Sequence, residues 1–281
     1  MRALKPLILV HGGAGRWNQK GLKKASSVLL EAAKVGFKVL DEGGSSLDAV
    51  VEAVTLMEKS GIFNAGKGAC KDLSGGIGLD ASVMWRGRAG AVTCVSATWN
   101  AVRLARMVME KTKHVLIAGT GADELAVKYG LPLMEQLRIN EAKARDTVGA
   151  VALDINGDLA TATSTGGIRG KLKGRVGDTP IPGAGFWESK RIALSSTGLG
   201  EEIIMAQPCR LAAWLYEVQG VSLKDALWRA CSSVKGPCGI IAVTADGGAA
   251  ASTTAEFMPI ALFKENRGLN LVIKNGESIE I

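Results

Sequence analysis

Apolar positions recur along this chain with two spacings, one of strands and one of helices. Leu7 to Val10 is an unbroken apolar run, Leu7 to His11 reads as a buried strand, and Gly12-Gly13-Ala14-Gly15 after it forces a tight turn. Residues 20–40 carry a helical period that Gly43-Gly44 stops. Ser45, with Asp48 three residues on, resembles a capping box for a second helix through Lys59, with Gly61 as its C-terminal glycine. Leu79 to Trp85 and Ala89 to Ser96 read as strands joined around Arg86-Gly87-Arg88. Asn100 is placed to cap a helix reaching about Lys111; His114 to Ala118 reads as a strand and Ala122 to Tyr129 as a short helix. Residues 131–145 turn polar and lose any period, as expected of a linker or a loosely held helix, and form the best internal boundary.

The pattern sharpens between Asp146 and Gly167. Two apolar flanks alternate with small residues around Ile155-Asn156-Gly157, a turn signal with glycine where a left-handed residue is needed. If Asp154 and Asp158 close the loop, Thr147 faces Thr165 on one side of the sheet. A loop shorter by one residue sends the two threonines to opposite faces. These residues by themselves leave two readings open: a pair of hydroxyls assembled at a strand end, or two threonines in strands, where threonine is common.

Beyond the hairpin, residues 171–185 are rich in Gly and Pro and read as loop. Arg175 and Asp178 lie three apart there; they could converge on one ligand, the guanidinium on a carboxylate and the aspartate on an ammonium, or form a surface salt bridge with each other. Ile192 to Ser196 reads as a strand, followed by Thr197-Gly198-Leu199-Gly200-Glu201 and a helix that Pro208 bends. Strand, glycine-rich turn and helix start in succession offer backbone N–H groups to an oxyanion. Ser222 and Asp225 repeat the capping pattern for a helix to about Ser233. Gly239 to Thr244, Ala249 to Thr254, Met258 to Phe263 and Leu269 to Ile281 read as strands, with turns at Asp246-Gly247-Gly248 and Asn275-Gly276.

Composition narrows the function classes. With 47% hydrophobic and 22% charged residues in 281, a sizeable core is affordable. The net charge of +7 raises nucleic acid as a partner, but basic residues are dispersed except for the run 169–175, so nucleic-acid binding is not expected. Five cysteines without a Cys-x-x-Cys pair make neither a disulfide framework nor a zinc site and suit a cytoplasmic setting. No apolar run reaches membrane-spanning length. His11 and His114 are the only histidines, so a hydrolase here must find its base elsewhere. Gly12-Gly13-Ala14-Gly15 lacks the spacing and the Gly-Lys-Ser/Thr ending of nucleotide loops.

Several motifs, in order, resemble one family. They are His11-Gly12-Gly13-Ala14-Gly15, Phe63-Asn64-Ala65-Gly66-Lys67-Gly68, Asp80-Ala81-Ser82-Val83-Met84, Asp146-Thr147-Val148-Gly149, Thr163-Ser164-Thr165-Gly166-Gly167, Gly174-Arg175-Val176-Gly177-Asp178 and Ser196-Thr197-Gly198-Leu199-Gly200-Glu201. Together they resemble the plant-type L-asparaginase/isoaspartyl peptidase family of N-terminal-nucleophile hydrolases over nearly the whole chain. The resemblance implies an α/β architecture of four layers, αββα, in a single domain. It implies self-cleavage between Asp146 and Thr147 into chains 1–146 and 147–281, with the mature protein a dimer of such pairs. It makes Thr147 the nucleophile and Thr165 its support. Arg175 would bind the substrate α-carboxylate and Asp178 its α-ammonium. Thr197, Gly198 and Asn64 would shape the oxyanion site, and Gly200 would line the pocket. No cofactor is required, and no side chain is expected to hold a metal; a structural sodium on backbone oxygens near Glu58 to Lys67 is implied. The expected substrates are asparagine and β-aspartyl peptides. The chain departs from that pattern at Asp146, where this branch usually has glycine, and in its short linker. The alternatives are a glycosylasparaginase-like amidase and an unprocessed, inactive homologue serving as a binding protein.

Overall fold

A computed structural model describes residues 5–134 and 147–281. The N-terminal part contains β1 (Leu7–His11), α1 (Gln19–Asp41), α2 (Ser46–Ser60), β2 (Leu79–Trp85), β3 (Arg88–Val95), α3 (Ala101–Lys111), β4 (Leu116–Ala118) and α4 (Gly119–Lys128). The C-terminal part contains β5 (Val148–Leu153), β6 (Leu159–Thr165), β7 (Phe186–Glu188), β8 (Ile192–Gly198), α5 (Gly200–Ala206), α6 (Pro208–Glu217) and α7 (Leu223–Ser232). It closes with β9 (Cys238–Thr244), β10 (Ala249–Thr253), β11 (Phe257–Lys264), β12 (Arg267–Lys274) and β13 (Glu277–Glu280).

The strands form two sheets. One runs β12-β11-β1-β5-β6-β2-β3-β4, the other β13-β10-β9-β8-β7. Alternation along each strand sorts its residues between two layers of core. On β1, Ile8 and Val10 pack on the side of α1 and α2, whereas Leu7 and Leu9 pack against the second sheet. On β5, Ala150 and Ala152 take the helix side and Val151 and Leu153 the inter-sheet side. Ile192 and Leu194 of β8 turn outward onto α6 and α7, and Ala193 turns inward. The result is helices, sheet, sheet, helices: the expected αββα sandwich. Burial of each such Leu, Ile or Val is worth about 1.5–3 kcal/mol.

The inter-sheet layer is not uniform. One end is filled by Leu7, Leu9, Val151, Leu153, Ile241 and Val243. At the other end the same strands carry His11, Thr147, Gly149, Thr163, Thr165, Ser195 and Thr197, and every non-glycine among them is buried. Several of those polar groups bond one another. His11 Nε2 and Ser195 Oγ are 2.9 Å apart, as are Ser195 Oγ and Thr163 Oγ1, and Thr161 Oγ1 donates to the Leu194 carbonyl.

Several expectations need correction. Asn100 sits at the N-cap of α3, but its backbone (φ −97°, ψ 56°) leaves the side chain without a capping bond. Pro208 does not bend one helix; Gln207, at φ 51° and ψ 49°, ends α5, and Pro208 opens α6 at a position where a missing N–H costs nothing. The strand expected from His114 covers only Leu116–Ala118, at the sheet's edge, where Val115 and Leu116 stay exposed. The short strand β7 carries too few residues for a period to register. Most of the segment expected as linker, residues 135–146, lies outside the described residues, Asp146 included. Among the described residues no helix is long and apolar enough to cross a membrane.

Candidate active site

The β5–β6 hairpin takes the register set by the three-residue turn. Val148 pairs with Ser164 and Gly149 with Thr163; the Asp154 N–H donates to the Asp158 carbonyl, and Gly157 adopts φ 84°. This register brings Thr147 opposite Thr165, and the Thr147 hydroxyl donates to Thr165 Oγ1 at 3.0 Å. Of the two readings left open by the sequence, the paired hydroxyls hold.

Gly149, two residues from Thr147, makes room for the layer beneath. A Cβ there would lie 2.0 Å from Ser195 Oγ and 2.4 Å from His11 Nε2. The imidazole is thus seated under the threonines and linked to Ser195 and Thr163. Burial pushes its pKa down to about 3, so it is neutral, and its Nδ1 has no partner. It serves as a fixed dipole in the scaffold and supplies no charge.

Thr165 also accepts the Gly167 N–H at 3.1 Å. The Gly167 carbonyl in turn receives the Asn64 side-chain amide, and Asn64 Oδ1 accepts the Cys70 N–H at 2.9 Å. Both ends of the Asn64 amide are therefore fixed, which sets its orientation beside Thr165. Gly166 permits this approach: a Cβ on it would lie 2.5 Å from Asn64 Oδ1. Thr197, one strand alternation beyond Ser195, is buried, and its Oγ1 faces the Ala14 N–H at 3.4 Å. Gly198, at φ 144°, lies against the Pro237 carbonyl, 2.0 Å from where a Cβ would stand. The helix start expected to hold an oxyanion is less suited than its sequence implies. Only seven residues long, α5 has Glu201 and Glu202 in its first turn, which offset the dipole.

Arg175 and Asp178 meet around Gly200. The position of a Cβ on Gly200 is 2.8 Å from Arg175 Nη2 and 3.0 Å from Asp178 Oδ1, so glycine lets guanidinium and carboxylate converge on its backbone where any side chain would collide. They do not form the salt bridge with each other that was one of the two readings. Arg175 instead makes a bidentate pair with Glu201, Nε to Oε1 at 2.9 Å and Nη2 to Oε2 at 2.7 Å. Asp178 is buried with Oδ2 unpartnered. Desolvation raises its pKa to about 7, against the lowering influence of its own backbone N–H and of Arg175. An unpartnered buried carboxylate is suited to receive an ammonium.

Sequence reasoning did not identify Glu201 as the partner of Arg175, although Glu201 ends one of the motifs quoted for the family. It also missed Glu58, fully buried, which receives the Ser164 hydroxyl at 2.7 Å and the Val102 N–H at 3.1 Å. Burial raises its pKa to about 8. No cluster of three His, Cys, Asp or Glu side chains fit to hold a metal occurs among the described residues.

Comparison with known proteins agrees with this picture. The profile of the protein family described as asparaginase matches residues 4–143 and 134–273. A plant-type L-asparaginase of Pyrobaculum calidifontis is 42% identical, over 85% of this chain and 91% of that protein. Isoaspartyl peptidase/L-asparaginase of Bos taurus is 40% identical and that of Homo sapiens 38%, each over 94% of this chain and 95% of theirs.

Proposed function

Because the chain belongs to the asparaginase family, we propose that it hydrolyses the side-chain amide of L-asparagine and the isopeptide bond of β-aspartyl peptides, with Thr147 as nucleophile. The observation that carries this reading is the 3.0 Å contact of the Thr147 and Thr165 hydroxyls. It lies at the polar end of the inter-sheet layer, in a chain that also brings Arg175 and Asp178 together at Gly200.

A threonine hydroxyl needs a base, and the one nearby histidine is buried and already bonded through Nε2 to Ser195. Cleavage of the Asp146–Thr147 bond supplies another. The Thr147 hydroxyl attacks the Asp146 carbonyl, the C–N bond breaks in favour of an ester, and water opens the ester. This leaves a carboxylate on Asp146 and a free α-amine on Thr147, whose reference pKa is about 7.7–8.0. In the cleaved protein the amine takes the hydroxyl proton as Thr147 Oγ1 attacks the substrate's side-chain carbonyl. Thr165 holds the nucleophilic oxygen, and Asn64 and Thr197 with Gly198 face the developing oxyanion. Collapse expels ammonia, or the peptide's amine, with the proton carried from Thr147. Water then releases aspartate from the ester. Arg175 grips the α-carboxylate and Asp178 the α-ammonium, side by side at Gly200.

By the resemblance, a structural sodium on backbone oxygens near Glu58 to Lys67, in the loop presenting Asn64, belongs to the same reading. Such an ion would hold the loop in place and take no part in the chemistry. By the same resemblance, the mature protein is a dimer of cleaved pairs.

The direct test measures ammonia from L-asparagine and free amino acid from a β-aspartyl dipeptide, with glycosyl-asparagine as third substrate. Turnover of the first two, lost in Thr147→Ala, is expected. Turnover of glycosyl-asparagine alone, or activity surviving in Thr147→Ala, overturns the reading.

A further inference from the structure

Within the basic run 169–175, burial sets Lys171 apart. Its side chain is only 4% exposed. Its one hydrogen bond goes to a neutral acceptor, from Nζ to the Gly78 carbonyl at 2.7 Å. Among the described residues no carboxylate stands within ion-pair distance of it. A buried ammonium without an ion-paired carboxylate is unfavourable unless an anion meets it in some working state of the protein.

Its location says which anion. A Cβ on Gly167 would lie 2.9 Å from Lys171 Nζ and 3.2 Å from Arg175 Nη1. The two cationic groups thus converge on one face of the same glycine, too closely for any side chain there, and its N–H reaches Thr165 while its carbonyl holds Asn64. Two like charges side by side destabilise each other until an anion lies between them. Arg175 is paired with Glu201 on its other side; Lys171 makes no ion pair among the described residues, and the one carboxylate seen to feel its charge, Asp72, is partly exposed to solvent.

We propose that Lys171 is a second carboxylate-binding residue of the substrate pocket, meeting the α-carboxylate of asparagine or of the β-aspartyl unit beside Arg175. The inference rests on the function proposed above. It assigns the missing counter-ion of Lys171 to the substrate, and it accounts for a lysine buried between the exposed Arg169 and Lys173. Lys171 would then act on binding, and its loss would leave the bond-breaking groups in place.

The test compares wild type with Lys171→Met, Lys171→Gln and Lys171→Arg. It uses L-asparagine and a β-aspartyl dipeptide as substrates and the product L-aspartate as inhibitor. The Met and Gln variants should raise KM for both substrates and Ki for L-aspartate together, by about 10-fold or more, with kcat changed by less than about threefold. The Arg variant should recover most of the loss. A fall in kcat at unchanged KM and Ki, or an effect confined to the dipeptide, overturns the inference. So does a failure of both neutral variants to fold while Arg folds with wild-type constants at every substrate, because the charge is then structural. A wild-type protein that turns over neither substrate contradicts the parent function instead, and that result is read before any variant is compared.

Discussion

Thr147 and Thr165 stand opposite each other at the open end of a hairpin, and the hydroxyl of the first donates to that of the second across 3.0 Å. Turn length, strand alternation and a buried polar layer all act to bring these two oxygens together. Replacing Thr165 with valine keeps the shape and removes the oxygen. The hydrolysis rate of a β-aspartyl dipeptide should fall by about 100-fold or more, alongside a stability loss of about 1–3 kcal/mol because the Gly167 N–H loses its acceptor. Thr165→Ser should restore much of the rate. Equal rates in Thr165→Val and wild type, measured on fully cleaved protein, would remove Thr165 from the mechanism.

Asp178 predicts a pH dependence with a definite sign. Desolvation lifts its pKa from the ordinary carboxylate range to about 7 in the ligand-free fold. The folded state therefore favours the protonated acid. The stability this contributes is complete below the ordinary carboxylate pKa and is lost as pH rises through about 7. In denaturant titrations wild type should lose stability relative to Asp178→Asn steadily as pH rises from about 4 to 7. Over the same range kcat/KM should rise, because an ammonium ligand needs the carboxylate. Parallel stability profiles for the two proteins would show that Asp178 ionises normally.

Arg175 is held by two hydrogen bonds to Glu201, a geometry lysine cannot reproduce. Arg175→Lys should raise KM for asparagine by about 10-fold or more with a smaller change in kcat. Initial rates over a wide substrate range separate the two effects. An unchanged KM would place the α-carboxylate elsewhere.

The layer below the threonines makes a prediction about stability. Ser195 is the bridge between His11 and Thr163. Ser195→Ala leaves a buried, neutral imidazole with neither nitrogen bonded, at a cost of about 1–3 kcal/mol. Urea unfolding should show that loss; a change of less than about 0.5 kcal/mol would mean that water replaces the hydroxyl.

Much of this arrangement was legible in the chain because it is local. The hairpin register follows from Gly157 and the alternation on either side, and the capping serines at 45 and 222 accept the N–H groups of Asp48 and Asp225 as their spacing implies. The apolar alternation that sorts Leu7 and Leu9 from Ile8 and Val10 is equally local. What stayed hidden depends on contacts between distant segments. Nothing near His11 in the sequence announces Ser195, its partner across the two sheets. Arg175 and Asp178 were read as a pair by their spacing, yet the loop's path sends the guanidinium to Glu201 and buries the carboxylate. Lys171 belongs to a run whose composition implies solvent, and only the packing against Gly78 and Gly167 encloses it. The break at Gln207 was obscured for a different reason: it depends on a left-handed backbone at a residue other than glycine.

The central claim is that Thr147 becomes the N-terminus of its own chain and serves as both nucleophile and base. The most direct measurement is the denatured mass of the purified protein, before and after warm incubation, beside Thr147→Ala. The account predicts that the 29.3 kDa species divides into two, the smaller beginning at Thr147, with activity rising in step, while the alanine variant stays whole. A wild-type protein that hydrolyses asparagine while remaining a single 29.3 kDa species, or that divides at another bond, would contradict it.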